Sequence, residues 1–276
     1  MMGMTDLRGE SGGPPVVLTI AGSDSSAGAG LQADLRTVTA MGGYAVTAVT
    51  CVVAEVPEKV EAISAMEPGM VAAQVRLAFE AFPVGAVKTG MLFSAEIVRA
   101  VADALKGPVG EGVPLVVDPV MVATSGDSLL ESSAVDAYRK QLFPLATLVT
   151  PNLGELAILA GHEIRDFDEM EAAGRELALR HHTSFLLKGG HLQGDLATDV
   201  LVRAEGGRAV FEAEFVKDVD PHGTGCTYSA SIAAGLAAGR DLEVAIERAK
   251  GVITRAILGR YRWGSTEALG IERATG

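Results

Sequence analysis

Residues 221–227 read Pro-His-Gly-Thr-Gly-Cys-Thr, a glycine-rich turn that runs into a stretch of small residues. Where such a turn opens a helix, the first N–H groups lack backbone partners and the helix dipole adds positive potential, which together hold an anion. Gly223 and Gly225 let a phosphate come close to the backbone, while the same segment would also serve as a plain helix cap. Cys226, in the first turn, is expected to have a lowered thiolate pKa, suiting a nucleophile or a proton acceptor. A second glycine-rich segment runs from Ala21 to Gly30. Gly28, Gly30 and Ala33 spell the GxGxxA dinucleotide pattern, with Glu55 as the acidic residue further along. That turn normally follows its strand at once, whereas Ala21 to Ala27 intervene here, so the match is weak. No GxxxxGK[ST] sequence occurs, which excludes the Walker loop.

Three further segments carry charge at the ends of apolar runs. Asp118-Pro119-Val120-Met121, followed by Thr124 to Asp127, offers a carboxylate and a polar loop that could hold a metal, act as a lid, or form a simple aspartate turn. Thr150 to Glu155 reads as an N-capped helix with Glu155 at the third position, from which it could also reach a metal through water. Lys188-Gly189-Gly190-His191 sets a cation beside a glycine pair, a natural clamp for phosphate.

The elements that must position these residues alternate between buried strands and amphipathic helices, the pattern of βα units around a parallel sheet. Strands are expected at 16–20, 45–53, 85–89, 114–118, 146–150 and 184–188, all in the sheet centre. Helices are expected at 31–41, 69–82, 95–106, 132–143, 152–159 and 169–181, with two closing helices at 227–238 and 242–257. Residues 200–202 and 208–215 around Gly206-Gly207 read as a hairpin added antiparallel at one sheet edge. In such sheets the ligand sits beyond the carboxyl ends of the strands, which is where the charged and glycine-rich segments fall.

The chain has 276 residues, 48% of them apolar and 21% charged, ordinary values for a folded domain. Residues 1–14 read as a disordered leader without the apolar run of a signal peptide, and 15–276 as one domain. With 23 basic and 35 acidic residues the net charge is −12, which opposes binding to nucleic acid or anionic membrane, so any anionic substrate must be held by local donors. Cys51 and Cys226 form no metal or disulfide pattern and suit a reducing, cytoplasmic setting; Cys51, inside an apolar run, is expected in the core.

The segments TIAGSDSSAGAGLQAD, VKTGM, VVDPVMVATSGD, TPNLGE, LLKGGH and HGTGCT occur in one order between Val16 and Ile257. In that order the sequence resembles the ribokinase-like superfamily, and within it the hydroxymethylpyrimidine/phosphomethylpyrimidine kinases of thiamine biosynthesis. The resemblance implies a three-layer α/β/α fold with a central, mostly parallel sheet. It implies transfer from ATP, with Mg²⁺, first to the alcohol of the pyrimidine and then to its monophosphate, by a cytoplasmic homodimer. Gly223, Thr224, Gly225 and Cys226 would form the anion hole, with Cys226 as acceptor of the hydroxyl proton and Asp34 as its rival beside the hydroxymethyl group. Lys188, Asn152 and Thr224 would bind ATP, and Asp118 and Glu155 would organise Mg²⁺. Ala29, Asp34, Val53, Glu55, Met91 and Val120 would surround the pyrimidine.

Two positions depart from the family pattern. Glu55 stands where a glutamine is usual, and an ionised carboxylate accepts but cannot donate hydrogen bonds. Either the aminopyrimidine is bound protonated or Glu55 itself is protonated. This leaves pyridoxal as an alternative substrate, although the residues from Val120 to Thr124 lack the second cysteine of the dual-cysteine pyridoxal kinases. Ala27 replaces a usual glycine and is expected to stiffen its loop. A nicotinamide-dependent oxidoreductase built on Gly28, Gly30 and Glu55, and a non-catalytic ligand sensor, are the readings from other classes.

Overall fold

The structure is a computed structural model that describes residues 12–57, 59–121, 132–190, 195–217, 219 and 222–275. The expected lid at Thr124 to Asp127, His191, Pro221 and most of the leader lie outside the described residues. The chain opens with β1 (Val16–Ala21), α1 (Gly30–Ala40), β2 (Tyr44–Val49), β3 (Cys51–Val56), β4 (Lys59–Ala65), α2 (Pro68–Ala81), β5 (Val84–Thr89) and α3 (Ala95–Gly110). It continues through β6 (Leu115–Val117), α4 (Ser132–Ala137), β7 (Leu148–Val149), α5 (Leu153–Ala160), α6 (Phe167–His181) and β8 (Ser184–Lys188). Then follow β9 (Leu196–Val202), β10 (Arg208–Glu214), α7 (Thr224–Ala237), α8 (Leu242–Leu258), β11 (Tyr261–Trp263) and β12 (Thr266–Ala268).

Eight strands form one sheet in the order β10-β9-β8-β7-β6-β5-β1-β2. β1, β2 and β5 to β8 are parallel, and the hairpin β9–β10 joins antiparallel. The unbroken apolar runs follow from burial on both faces, because successive side chains leave a strand on opposite sides. Leu18 and Ile20 of β1 pack with Val75 of α2 and Val98 of α3, while Val17 between them packs into the opposite layer with Val38 of α1, Ile232 of α7 and Ile246 of α8. Leu186 splits from Phe185 and Leu187 in the same way on β8. The result is the expected three-layer α/β/α domain.

Three expectations need correction. The run 45–53 is not one central strand. β2 is the edge of the large sheet, and the chain turns at Thr50, whose N–H donates to Ala21 O at 2.9 Å and whose hydroxyl donates to Met91 O at 2.7 Å. β3 then leaves to pair antiparallel with β4 in a separate hairpin. The expected helix 132–143 holds as α4 only to Ala137, passes through a π turn at Tyr138–Leu142, and tightens into a 3-10 turn at Phe143–Leu145, where Pro144 supplies no N–H. Finally, α7 starts at Thr224 rather than 227, with Thr227 N donating to Gly223 O at 2.9 Å, so Thr224, Gly225 and Cys226 are helical. Cys51 is fully buried, as its apolar surroundings indicated.

Candidate active site

Because the strands β1 and β5 to β8 are parallel, the loops that follow them open on one end of the sheet, and the start of α7 joins them there. They enclose a cavity of about 930 Å³. It extends from the β3–β4 hairpin, with Val53, Glu55 and Ile63, to the β9–β10 hairpin and α8, with Ala197, Glu214 and Ile253.

The middle of this cavity is built around Lys188. Its ammonium lies 3.1 Å from Asp118 Oδ1, and Thr150 donates to the same oxygen at 3.1 Å. Asp118 Oδ2 accepts from Ser229 of α7 at 3.1 Å. Burial pushes Asp118 up, but Lys188 and Lys88 outweigh it and hold the carboxyl below its ordinary value. Glu155 is different: burial, opposed by Lys188 but reinforced by the charge on Asp118, pushes it up to about 7. Asn152 and Glu155 form a capping box at the start of α5, with Asn152 N donating to Glu155 Oε2 at 2.8 Å and Glu155 N to Asn152 Oδ1 at 2.9 Å. Glu155 therefore serves both as a helix cap and as a carboxylate on the cavity wall.

The first turn of α7 faces the same ammonium. A Cβ added to Gly225 would lie 3.3 Å from Lys188 Nζ. α3, α5 and α6 each carry a side-chain cap, from Ser94, Asn152 and Asp166, whereas α7, like α1, α2 and α8, begins with none. Gly223 is in the left-handed region at φ +86°, and an added Cβ would lie 1.8 Å from the Gly28 carbonyl oxygen. Only glycine fits both conditions. An ammonium and the uncapped start of a helix thus converge on one place, the arrangement that holds a phosphate.

A family model described as phosphomethylpyrimidine kinase matches residues 24–269. The chain belongs to this family. It is 44% identical over 241 residues to the thiamine biosynthesis bifunctional protein ThiED of Geobacter sulfurreducens, covering 87% of this chain and 49% of that protein, so it spans about half of that relative's length. It is 41% identical over 251 residues to the hydroxymethylpyrimidine/phosphomethylpyrimidine kinase of Streptomyces coelicolor, covering 91% of each. Among solved structures, the ADP complex of Bacillus subtilis pyridoxal kinase matches with a TM-score of 0.85 at 35% identity, covering 94% of this chain and 97% of that one. The fold of this phosphomethylpyrimidine kinase family member is ribokinase-like.

Of the residues singled out in the sequence, Ala29, Val53, Glu55, Met91 and Val120 line the cavity toward the β3–β4 hairpin. Asp118, Asn152, Glu155, Lys188, Thr224, Gly225 and Cys226 line the remainder. Asp34 does not reach it. It is fully buried on α1, accepting from the Thr19 hydroxyl and, through both oxygens, from Lys88 Nζ at 2.9 Å. Asp34 is thus turned into the frame between α1 and β5, away from the cavity wall. The expected lowering of the Cys226 pKa is also reversed. Enclosure pushes the thiol up to about 11, and the carboxylates of Asp34 and Asp118 add to this against Lys88 and the Gly30 backbone. The dinucleotide reading fails as well: Gly30, at φ +56°, would put a Cβ 2.5 Å from the Gly22 carbonyl oxygen, so this glycine serves close packing of the chain on itself.

Lys88 was passed over in the sequence, although a lysine inside the apolar strand β5 signals a buried partner. It has no exposure, and Asp34 holds it charged well above its ordinary range. Lys250 and Asp199, 2.7 Å apart on the cavity wall, and Tyr228 beside them were missed too, since their helix and strand carried no motif.

Proposed function

We propose that this protein transfers the γ-phosphoryl group of ATP to the hydroxyl of 4-amino-5-hydroxymethyl-2-methylpyrimidine, and then a second phosphoryl to the monophosphate, in thiamine diphosphate biosynthesis. The observation that carries the reading is the placement of the Lys188 ammonium against the uncapped first turn of α7, within a cavity of about 930 Å³. In each transfer the acceptor oxygen forms a bond to the γ-phosphorus, the bond to the bridging oxygen breaks, ADP leaves, and the acceptor loses its proton when it is a hydroxyl. Lys188, Thr224 and Asn152 hold the ATP phosphates. The N–H groups from Gly223 to Cys226 meet the charge spread over the transferred group, and such fixed donors supply most of the acceleration in phosphoryl transfer. Cys226 takes the hydroxyl proton only as the thiolate, a minor form at neutral pH.

The residues fit Mg²⁺. Two neighbouring carboxylates, Asp118 and Glu155, offer hard oxygen donors, and their mutual repulsion is part of what raises Glu155. These two would hold the ion, which when bound neutralises charge on the phosphates. The pyrimidine sits among Ala29, Val53, Met91 and Val120, with Glu55 at its polar edge. A homodimer is supported by exposed apolar residues Tyr44 of β2, Val52 and Val56 of β3, and Met70 and Leu77 of α2, beside the unpaired edge of β2. A cytoplasmic setting agrees with the two free cysteines. A small-molecule role, without nucleic acid or membrane as partner, agrees with the net charge of −12, and no helix among the described residues is long and apolar enough to cross a membrane.

A coupled assay with ATP and Mg²⁺ tests the reading, offering hydroxymethylpyrimidine, its monophosphate and pyridoxal in parallel and weighing the products by mass. Turnover of both pyrimidines at higher kcat/KM than pyridoxal is expected. Preference for pyridoxal, or no product from any of the three, would overturn it.

A further inference from the structure

Among the residues of the quoted motifs without a role so far are Asp24 of the first glycine-rich loop and His222 beside Gly223. Asp24 is 1% exposed. Its Oδ1 accepts from Ser26 N at 2.6 Å, and its Oδ2 accepts from Ser26 Oγ at 2.9 Å, Gly28 N at 3.1 Å and Ala29 N at 2.7 Å. Asp24 Oδ2 also meets His222 Nε2 at 3.0 Å. Asp24 is ionised, because His222 and the loop donors outweigh its burial, so Nε2 carries the hydrogen in this contact.

One carboxylate therefore gathers the N–H groups of Ser26, Gly28 and Ala29 and, from the other loop, the residue that precedes the anion-binding turn. The backbone is equally close there: Gly223 presses on the Gly28 carbonyl, and a Cβ on Gly28 would lie 3.0 Å from the His222 ring. Ser23 and Ser25 extend the same wall to β3, accepting from Val53 N at 3.1 Å and Glu55 N at 2.9 Å. The acceptor side of the cavity and the phosphate side are thus fixed to each other at this contact. A carboxylate of Glu55 lies near enough that Asp24, Glu55 and His222 could be taken for a metal site, their ligand atoms falling within 4.8 Å of one another. Asp24 Oδ2, the oxygen that meets His222, already accepts from the Ser26 hydroxyl and the Gly28 and Ala29 N–H groups, and Nε2 faces it as a donor, so the chemistry is that of a hydrogen-bonded clamp.

We propose that Asp24 and His222 are a positioning pair for phosphoryl transfer, setting the distance between the substrate wall at Ala29–Gly30 and the anion-binding turn at Gly223–Cys226. The pair touches neither reacting atom in this account; it acts through the two backbones it joins. The kinetic part rests on the kinase reading above, whereas the coupling of the two loops does not.

The test compares His222→Phe, which keeps the bulk and loses the N–H, with His222→Gln, which keeps a donor. In hydrogen exchange on the full chain, His222→Phe is expected to speed exchange about tenfold or more at the bonded amides of Ser26, Gly28 and Ala29 and at that of Thr227 together, and His222→Gln to restore most of the protection. In the ATP-coupled pyrimidine assay, kcat is expected to fall about 10- to 100-fold in His222→Phe, because a misplacement near 1 Å costs that much, while the Kd for ATP moves less than threefold. His222→Gln should recover kcat to within about fivefold. Exchange rates in His222→Phe that match wild type in either loop, or equal loss in the Phe and Gln variants, would overturn the pair. An inactive wild type with the exchange pattern as expected would refute the kinase reading and leave the pair standing.

Discussion

Gly223→Ala perturbs the contact on which the anion-binding turn rests. At φ +86° the left-handed backbone costs an alanine about 1–2 kcal/mol. The new Cβ would lie 1.8 Å from the Gly28 oxygen and 2.7 Å from its carbon, where contacts below 3.0 Å are essentially never seen. The two loops must therefore separate by roughly 1 Å, losing packing on both sides. A total loss of about 2–4 kcal/mol follows from strain and lost contacts, which for a domain of this size lowers Tm by about 3–7 °C in calorimetry. Separation by that distance should also cut kcat about 100-fold in an assay of ADP release. Gly225→Ala is the matched control, since its Cβ would meet only Lys188 Nζ at 3.3 Å and Asp118 Oδ2 at 3.4 Å, within reach of small side-chain shifts. Its Tm should stay within about 2 °C of wild type. A Gly223→Ala protein with the Tm and kcat of wild type would refute the packing argument.

Ala27 takes φ +59°, so Ala27→Gly should gain about 1 kcal/mol of unfolding free energy, read as a higher denaturant midpoint at constant slope, and a loss would show that loop rigidity outweighs the strain. Burial and Asp24 raise the Glu55 carboxyl above its ordinary value, opposed by His222, so pyrimidine kcat/KM should vary with pH as it ionises. Glu55→Gln should flatten that profile, and an unchanged profile excludes Glu55 from the pyrimidine edge. Glu155, ordinarily at 4.5 and here raised to about 7, is bound to its proton more tightly when folded. Its contribution to stability is thus full below about 4.5 and is lost as pH rises to about 7. At pH 8 without metal, Glu155→Gln should melt a few degrees above wild type yet gain less from added Mg²⁺; a lower Tm than wild type would contradict this sign. With its thiol near 11, Cys226 should alkylate slowly at pH 7 and faster with each pH unit toward 10, followed by peptide mass, whereas a fast rate that is level from pH 7 would point to a preformed thiolate.

The parallel strands and most helices could be read from the sequence because burial on two faces leaves an apolar signature in each strand. Where burial is one-sided, the signal failed. β4, with Lys59, Glu61 and Ser64, reads as polar chain, and its partner β3 was merged with β2 because Thr50, which turns the chain, is a good strand residue. In the site, glycine-rich turns and charged strand ends marked the wall, since those residue types have few other uses at such positions. Contacts that depend on distant pairing were not legible. Nothing local in VKTGM shows that Lys88 meets Asp34, or that the cysteine at a helix start would be enclosed among carboxylates. The helix-terminus rule for Cys226 failed for that reason: it describes an exposed thiol, and here desolvation is the larger effect.

The enclosed lysines explain how a chain of net charge −12 can handle phosphate. Lys188 faces Asp118 and Lys88 faces Asp34, and both are kept charged by those partners despite burial. An unpaired ammonium in such a place would give up its proton, so the carboxylates preserve the cations. The two pairs then play different parts. Lys188, on the wall of the cavity, can turn part of its field to an incoming phosphate. Lys88 is sealed beneath with both hydrogen-bonded oxygens of Asp34, and it lies close enough to Cys226 to oppose the rise in the thiol's pKa. Neutralising Asp34 would therefore loosen α1 from β5 and weaken the hold on that charge, while neutralising Asp118 would free Lys188 on the cavity wall and remove one of the two oxygen donors proposed for a divalent ion. The first change acts on the frame of the site and the second on its chemistry, although each breaks one ion pair.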